Sequence, residues 1–388
     1  MRRISLSMTL VCLFMGSPVA AQDSTETAEL TKVVRDLCER EVVLLGEDAG
    51  HSAGRTTEVK TLIIRRLITE CGFGAVAFES QFYDFLDFER ELAKGTATRQ
   101  GLSDAIGALW SRTREMQPLT DFLFERAASG KVRVVGVDPQ VGGVTGYFSQ
   151  RRLGAELASM IPDGGPAACE EEMNRHHAWT YDAAHPFDDA AKQRLRTCGR
   201  ALSASTPEAG GTRSREMRAM ASSYARYLES MLDADVNARD LGMFENLSWH
   251  RARWPKGVKT IVWCATSHAA RSESPAIPWR PLGSHVAKAL GVRAAAIGFT
   301  AVSGTFAGPG GGRGKINTLA APESHSLEAS TRPGGTWALD YLDTKALKNL
   351  GATSGRVLNY AKPQSLDWST LLDGVIILRE ERAAEPLR

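Results

Sequence analysis

The sequence predicts an α/β fold: a mostly parallel sheet flanked by helices, with a helical insertion covering the C-terminal strand ends. Three observations carry this. Short apolar runs that end in an acid alternate with amphipathic segments of helical spacing. Two of them, Val42–Leu45 and Gly74–Ser80, are joined by one such helix, as in a right-handed βαβ unit. From about Tyr147 to Asp240 strand signals vanish, and Pro162, Gly164-Gly165 and Gly210-Gly211 break the segment into helices.

The elements follow in order. Arg2-Arg3, the apolar stretch Met8 to Met15 and Val19-Ala20-Ala21 have the layout of a cleaved secretory signal, with cleavage expected after Ala21. The apolar run is short for a membrane span. Removing it takes away two arginines and no acid, so 47 basic against 45 acidic side chains become 45 against 45, which gives no electrostatic case for nucleic acid. A soluble periplasmic or secreted protein is expected, divided as signal 1–21, α/β core 22–146, helical insertion 147–250 and α/β core 251–388. Thr27 to Cys38 should open the fold as a helix. Val42–Leu45 is the first strand, and Gly74–Ser80 the second, pairing beside it so that Glu47 and Glu79 face one another. Val132–Asp138 is the third, Thr260–Cys264 the fourth, Ala294–Phe299 the fifth and Gly374–Leu378 a late strand. Leu102 to Leu109 and Trp110 to about Ala128 read as helices.

Export bears on the five cysteines that remain. Cys169–Cys198 and Cys38–Cys71 are plausible disulfides in an oxidising compartment, leaving Cys264 as a buried thiol on a core strand.

Chemistry concentrates where the first strand hands over to a helix, in Gly46-Glu47-Asp48-Ala49-Gly50-His51-Ser52-Ala53-Gly54. A histidine flanked by carboxylates can take a proton from water, and Glu47 and Glu79 would orient it and stabilise the imidazolium. Gly50-His51-Ser52-Ala53-Gly54 also matches G-x-S-x-G, but a nucleophile elbow places its serine directly after a strand, and here four residues intervene before the motif. Glu47, His51, Glu79 and His268 are competent metal ligands too. The glycine-rich Ala307–Lys315 lacks the residues of a phosphate loop and reads as surface, as do His176, His177 and His185.

Gly46-Glu47, His51, Glu58, Arg65-Arg66-Leu67 and Phe78-Glu79 resemble the opening block of the erythromycin esterase family. Trp110 to Glu115, Gly136-Val137-Asp138, Arg239-Asp240 with Met243, Glu245 and Asn246, Trp263 to His268, and Leu282 to His285 follow in the family's order, so the resemblance spans nearly the whole mature chain. It implies an ester or lactone hydrolase, of macrolides in the family's named case, in which the histidine matching His51 activates water without an acyl-enzyme and without a cofactor. Glu47 and Glu79 match family acids. Lys60, Glu58, Arg55, Glu115, His268 and His285 become candidates for holding the substrate or its oxyanion. Three positions differ: the turn from Glu47 to His51 is one residue longer, Lys60 replaces an arginine, and Ala265 replaces the first of two histidines. Two other readings stand beside this one: a serine hydrolase using Ser52, and a non-catalytic periplasmic binding protein, motivated by Ala265 and Lys60.

Overall fold

The computed structural model describes residues 18–142, 147–161, 165–205, 211–308, 313–331 and 338–387, with side chains from residue 26. Most of the expected signal, and residues 309–312 of the glycine-rich stretch, lie outside the described residues. Residues 18–21 open a helix that runs through Leu37, so it starts well before the expected Thr27.

Ten strands form among the described residues: β1 (Val42–Leu45), β2 (Phe73–Gln81), β3 (Arg133–Asp138), β4 (Lys259–Trp263), β5 (Ala294–Ala307), β6 (Ile316–Thr318), β7 (Leu339–Asp343), β8 (Ala352–Gly355), β9 (Gln364–Asp367) and β10 (Gly374–Glu381). The main sheet has the order β3-β2-β4-β1-β5-β10-β7. β3 through β10 along that path are parallel, β7 is antiparallel to β10, and β6 turns back on β5. β8 and β9 make a separate hairpin. The four antiparallel additions, β6 to β9, were not readable from the sequence, because three of them alternate polar and half-exposed residues without an apolar run.

One expectation is corrected. β1 and β2 are not neighbours, since β4 lies between them, pairing Leu45 with Trp263 on one side and Phe78 with Trp263 on the other. β1 is buried along all four residues and can take a parallel partner on either edge, so local sequence does not choose between them. The chain first winds toward β3 and returns through β4, and β5 then extends the sheet the other way. Such a reversal opens a crevice beyond the strand ends.

Side chains on both faces of the sheet feed apolar cores. Val43, Leu45, Ile261 and Trp263 pack against Val59, Ile63 and Leu67 of the helix Gly54–Cys71. Val42, Leu44 and Val262 pack against Met243 and Leu247 of the helix Ala238–Arg253. Between β3 and β4 the described residues contain only helices, whose Met173, Leu195 and Tyr224 share a core with Phe82 and Tyr83 of the helix Phe82–Lys94. Disulfides Cys38–Cys71 and Cys169–Cys198 are present, and Cys264 is a buried free thiol. The expected helix over 102–109 stops at Ile106, since Gly107 takes φ +92°, and a short 3₁₀ turn at Arg114–Met116 interrupts the one that follows. No helix among the described residues is long and apolar enough to cross a membrane.

The helix Gly54–Cys71 begins at Ala53, which has no side chain to cap it. Glu381, at the far end of β10, supplies the cap: Oε1 accepts from the Arg55 and Thr56 amides at 2.8 and 3.2 Å, and Oε2 from Thr56 Oγ1 at 2.5 Å and Tyr360 Oη at 2.9 Å. Glu381 is 1% exposed, so its removal leaves several buried donors unpaired. Glu381→Ala should therefore cost about 3 kcal/mol of stability, more than an exposed N-cap is worth, as read from the urea unfolding midpoint.

Candidate active site

β1 ends at Leu45, and Gly46 follows because a Cβ there would stand 2.6 Å from Thr266 Oγ1. Glu47 then turns into the protein and is 2% exposed. Its Oε1 accepts from His51 Nδ1 at 2.9 Å, Trp110 Nε1 at 2.6 Å and Trp263 Nε1 at 3.3 Å. Its Oε2 accepts from Lys60 Nζ at 2.8 Å, and that ammonium lies 3.8 Å from the centre of the Trp263 ring. Burial alone would raise the Glu47 carboxyl, but the Lys60 charge and His51 hold it below its ordinary value.

His51 stands in the left-handed region at φ +54°, uncommon for a residue with a Cβ. Its ring meets Trp110 edge-on at 5.1 Å between centres. With Nδ1–H donating to Glu47, Nε2 is the acceptor, and it has no protein partner among the described residues. Burial would lower the imidazole, but its hydrogen bond to Glu47 and the charges of Glu79 and Glu47 raise it above 6.5.

The ring lines a cavity of about 410 Å³ whose other walls include Glu79, Trp110, Gln140, Arg239, His268 and Trp279. Glu79, at the end of β2, accepts from the Ala265 amide at 2.7 Å and Arg239 Nη2 at 2.9 Å, and His268 Nε2 lies 3.3 Å away. Burial opposes its ionisation, but His268, His51 and Arg239 bring its carboxyl well below the usual range. Arg239 also forks onto Asp138, at the end of β3, at 2.7 and 3.3 Å. His268 Nδ1 donates to Asp240 Oδ1 at 2.8 Å, and that oxygen also accepts the Leu282 amide at 2.7 Å. Burial pulls the His268 ring down, but the Glu79 and Asp240 carboxylates outweigh it and push it up to about 10. Arg239 Nη1 approaches His268 Nε2 at 3.2 Å, which would suit a neutral ring. Carboxylates at both ring nitrogens favour the imidazolium, and we assign that form at neutral pH.

Of the residues expected at the site, His51, Glu79 and His268 line this cavity, with Glu47 directly behind His51. Lys60 does not reach it. That side chain is 0% exposed behind Glu47, so the role expected for it in gripping a substrate is corrected to that of a buried counter-ion. Arg55 pairs with Glu26 and Glu58 and lines a different, larger cleft of about 1150 Å³. Glu58 meets Arg382 at 2.6 Å, and Glu115 accepts the Glu385 amide at 3.1 Å. His285 stacks on Phe244. Ser52 is 1% exposed, and its hydroxyl donates to the Gly50 carbonyl at 3.2 Å. His176 and His177 are not on the surface, being 2% and 3% exposed against the hydroxyls of Tyr227 and Tyr224. Among the described residues no group of three or more acids, histidines or cysteines is arranged to hold a metal. Arg239, Asp240 and Asp138 were missed as site residues, although Asp138 closes a strand and Arg239-Asp240 open a helix.

The sequence profile of the erythromycin esterase family, "Erythromycin esterase", matches residues 68–369. The chain belongs to this family. Membership supports a hydrolase-like function, and the matched span begins after Glu47, His51 and Lys60. Three solved structures share the fold. A Bacillus cereus protein is 18% identical, covering 94% of this chain and 95% of its own, with a TM-score of 0.70. A succinoglycan biosynthesis protein is 15% identical over 94% and 99%, with a TM-score of 0.66. A histidine-to-asparagine mutant of erythromycin esterase EreC, in its open conformation, is 17% identical over 92% and 94%, with a TM-score of 0.63. No curated protein sequence matches the chain.

The elevated His268 fixes a sign for pH. A ring protonated more readily in the folded than in the unfolded chain contributes stability in full below about 6.5 and loses it as pH rises toward 10. Thermal unfolding followed from pH 6 to 10 should show this decline, and His268→Gln should flatten it.

Proposed function

We propose that the protein is an exported ester or lactone hydrolase in which His51 activates water. The observation that carries the reading is the His51–Glu47 pair: a strained histidine with one nitrogen tied to a buried carboxylate and the other free beside a cavity. Such an arrangement fixes the tautomer. Nε2 takes a proton from water, the hydroxide equivalent adds to the ester carbonyl, and the carboxylate of Glu47 stabilises the imidazolium that forms.

The second half of the cavity supports the rest of the reaction. Negative charge grows on the carbonyl oxygen as water adds, and Arg239 and His268 are cationic donors on the cavity wall. Glu79, Asp138 and Asp240 hold these two cations in place through the contacts described above. The protonated His51 can then return its proton to the departing alkoxide, leaving acid, alcohol and the starting enzyme. Ser52 has no place in this scheme, since its hydroxyl is buried against Gly50. Export is supported by two disulfides in a chain that also carries a signal-like start. Protein recovered from the periplasm should begin at Gln22 on N-terminal sequencing.

A screen against aryl esters, lactones and macrolides, with His51→Asn beside the wild type, tests the reading. Asn accepts the left-handed backbone more readily than Ala, so the variant should stay folded. Turnover should fall by about 10²- to 10⁴-fold. Because His51 must be neutral to act, wild-type turnover should fall as pH drops through a midpoint above 6.5. Retained turnover in His51→Asn on any ester the wild type cleaves would reject the proposal.

A further inference from the structure

We infer that Asp48 is a positioning residue for His51, the side chain around which the Glu47–His51 turn is moulded and by which it is anchored to the 358–360 segment. This rests on the reading of His51 as the base.

The turn between Glu47 and His51 holds three residues. Asp48 is the first and is 4% exposed. Its Oδ2 accepts the Gly50 amide at 2.8 Å, closing the turn from inside, and its backbone carbonyl accepts the His51 amide at 3.0 Å. Its Oδ1 accepts the Tyr360 amide at 2.7 Å, across 312 positions of sequence. A second tie runs alongside, from the Ala49 amide to the Leu358 carbonyl at 3.3 Å. Gly50 is wrapped closely on this carboxylate, for a Cβ there would stand 2.7 Å from Oδ2. His51 comes next, held at φ +54°.

A left-handed histidine persists only where its surroundings over-determine the backbone. Here the determining group is Asp48, because one side chain supplies both the internal hydrogen bond of the turn and its tie to the body of the protein. The Tyr360 phenol in turn donates to Glu381, the cap of the helix that follows the turn, so the anchor is fixed at both of its ends. If Asp48 lets go, His51 can relax toward the ordinary region, swinging Nδ1 away from Glu47 and Nε2 away from the substrate.

Asp48→Asn and Asp48→Glu separate geometry from charge. Asn keeps the shape but turns an amide against one of the two N–H donors, while Glu keeps the charge and displaces the carboxylate by a methylene. Turnover is read at the top of each variant's own pH profile, the plateau between loss of the His51 proton and loss of the His268 proton, so that a shifted His51 midpoint is not mistaken for misplacement. Each variant should lose about 10²-fold in kcat with KM within about twofold, the pattern of a misplaced catalytic group. Unchanged plateau kcat in both variants would overturn the inference. Should either fail to fold, hydrogen exchange in the wild-type protein decides. The Gly50 and Tyr360 amides should be among the slowly exchanging ones, and rapid exchange at both would overturn it. Failure of the parent reading looks different: His51→Asn would then remain active, whereas an inactive His51→Asn beside fully active Asp48 variants sinks this inference alone.

Discussion

The Glu47 carboxylate is the group on which the rest of the site depends. Four donors converge on its two oxygens: an imidazole from its own turn, an indole from the Ala108–Ser111 helix, an indole from β4 and an ammonium from the helix Gly54–Cys71. A buried carboxylate is costly unless it is paired and its lone pairs are filled, and here both conditions hold. The same saturation gives the site its order, since moving any one of the four elements strands a polar group in the interior. Lys60 belongs to this hub. Burial lowers its ammonium while Glu47 opposes that shift, and the Trp263 ring beneath it adds a cation–π contact.

Across the cavity a second hub is built on the reverse plan. Arg239 and His268 are the cations, and Glu79, Asp138 and Asp240 surround them. One histidine therefore keeps a ring nitrogen open to the cavity, and the other is enclosed by carboxylates and charged at neutral pH. Carboxylates raise both rings, but His51 has one as a direct partner, balanced by Lys60, whereas His268 has two and only Arg239 against them. Different surroundings thus give one residue type two electrostatic settings within one cavity.

Much of the sheet and half of the site were legible in the sequence. Val42–Leu45 followed by Gly46-Glu47 marks a buried strand reaching a crevice, and Glu79, Asp138 and Cys264-Ala265 repeat the pattern at the ends of β2, β3 and β4. What stayed hidden depends on long-range placement. Nothing local tells β1 to take β4 rather than β2 as its neighbour. Arg239 reads as one charge among several near the start of a helix until β2 and β3 bring Glu79 and Asp138 to it. Lys60 was misplaced for another reason. It lies three and four positions before Ile63 and Ile64 on a helix, the spacing of a shared buried face, and that periodicity outweighed the exposure expected of a lysine. His176 and His177 similarly face Tyr227 and Tyr224, a pairing visible only once two helices of the insertion are packed together.

The left-handed backbone at His51 implies a conflict between durability and use. Holding a residue with a Cβ at φ +54° costs on the order of 1 kcal/mol or more that glycine would not incur. On backbone grounds alone glycine would suit this position better, and against that stands the imidazole's hydrogen bond to Glu47. On the proposed reading, with His51 as the base, a descendant relieved of that chemistry should drift at position 51 toward glycine or asparagine, and the histidine present here would mark continued selection for reactivity.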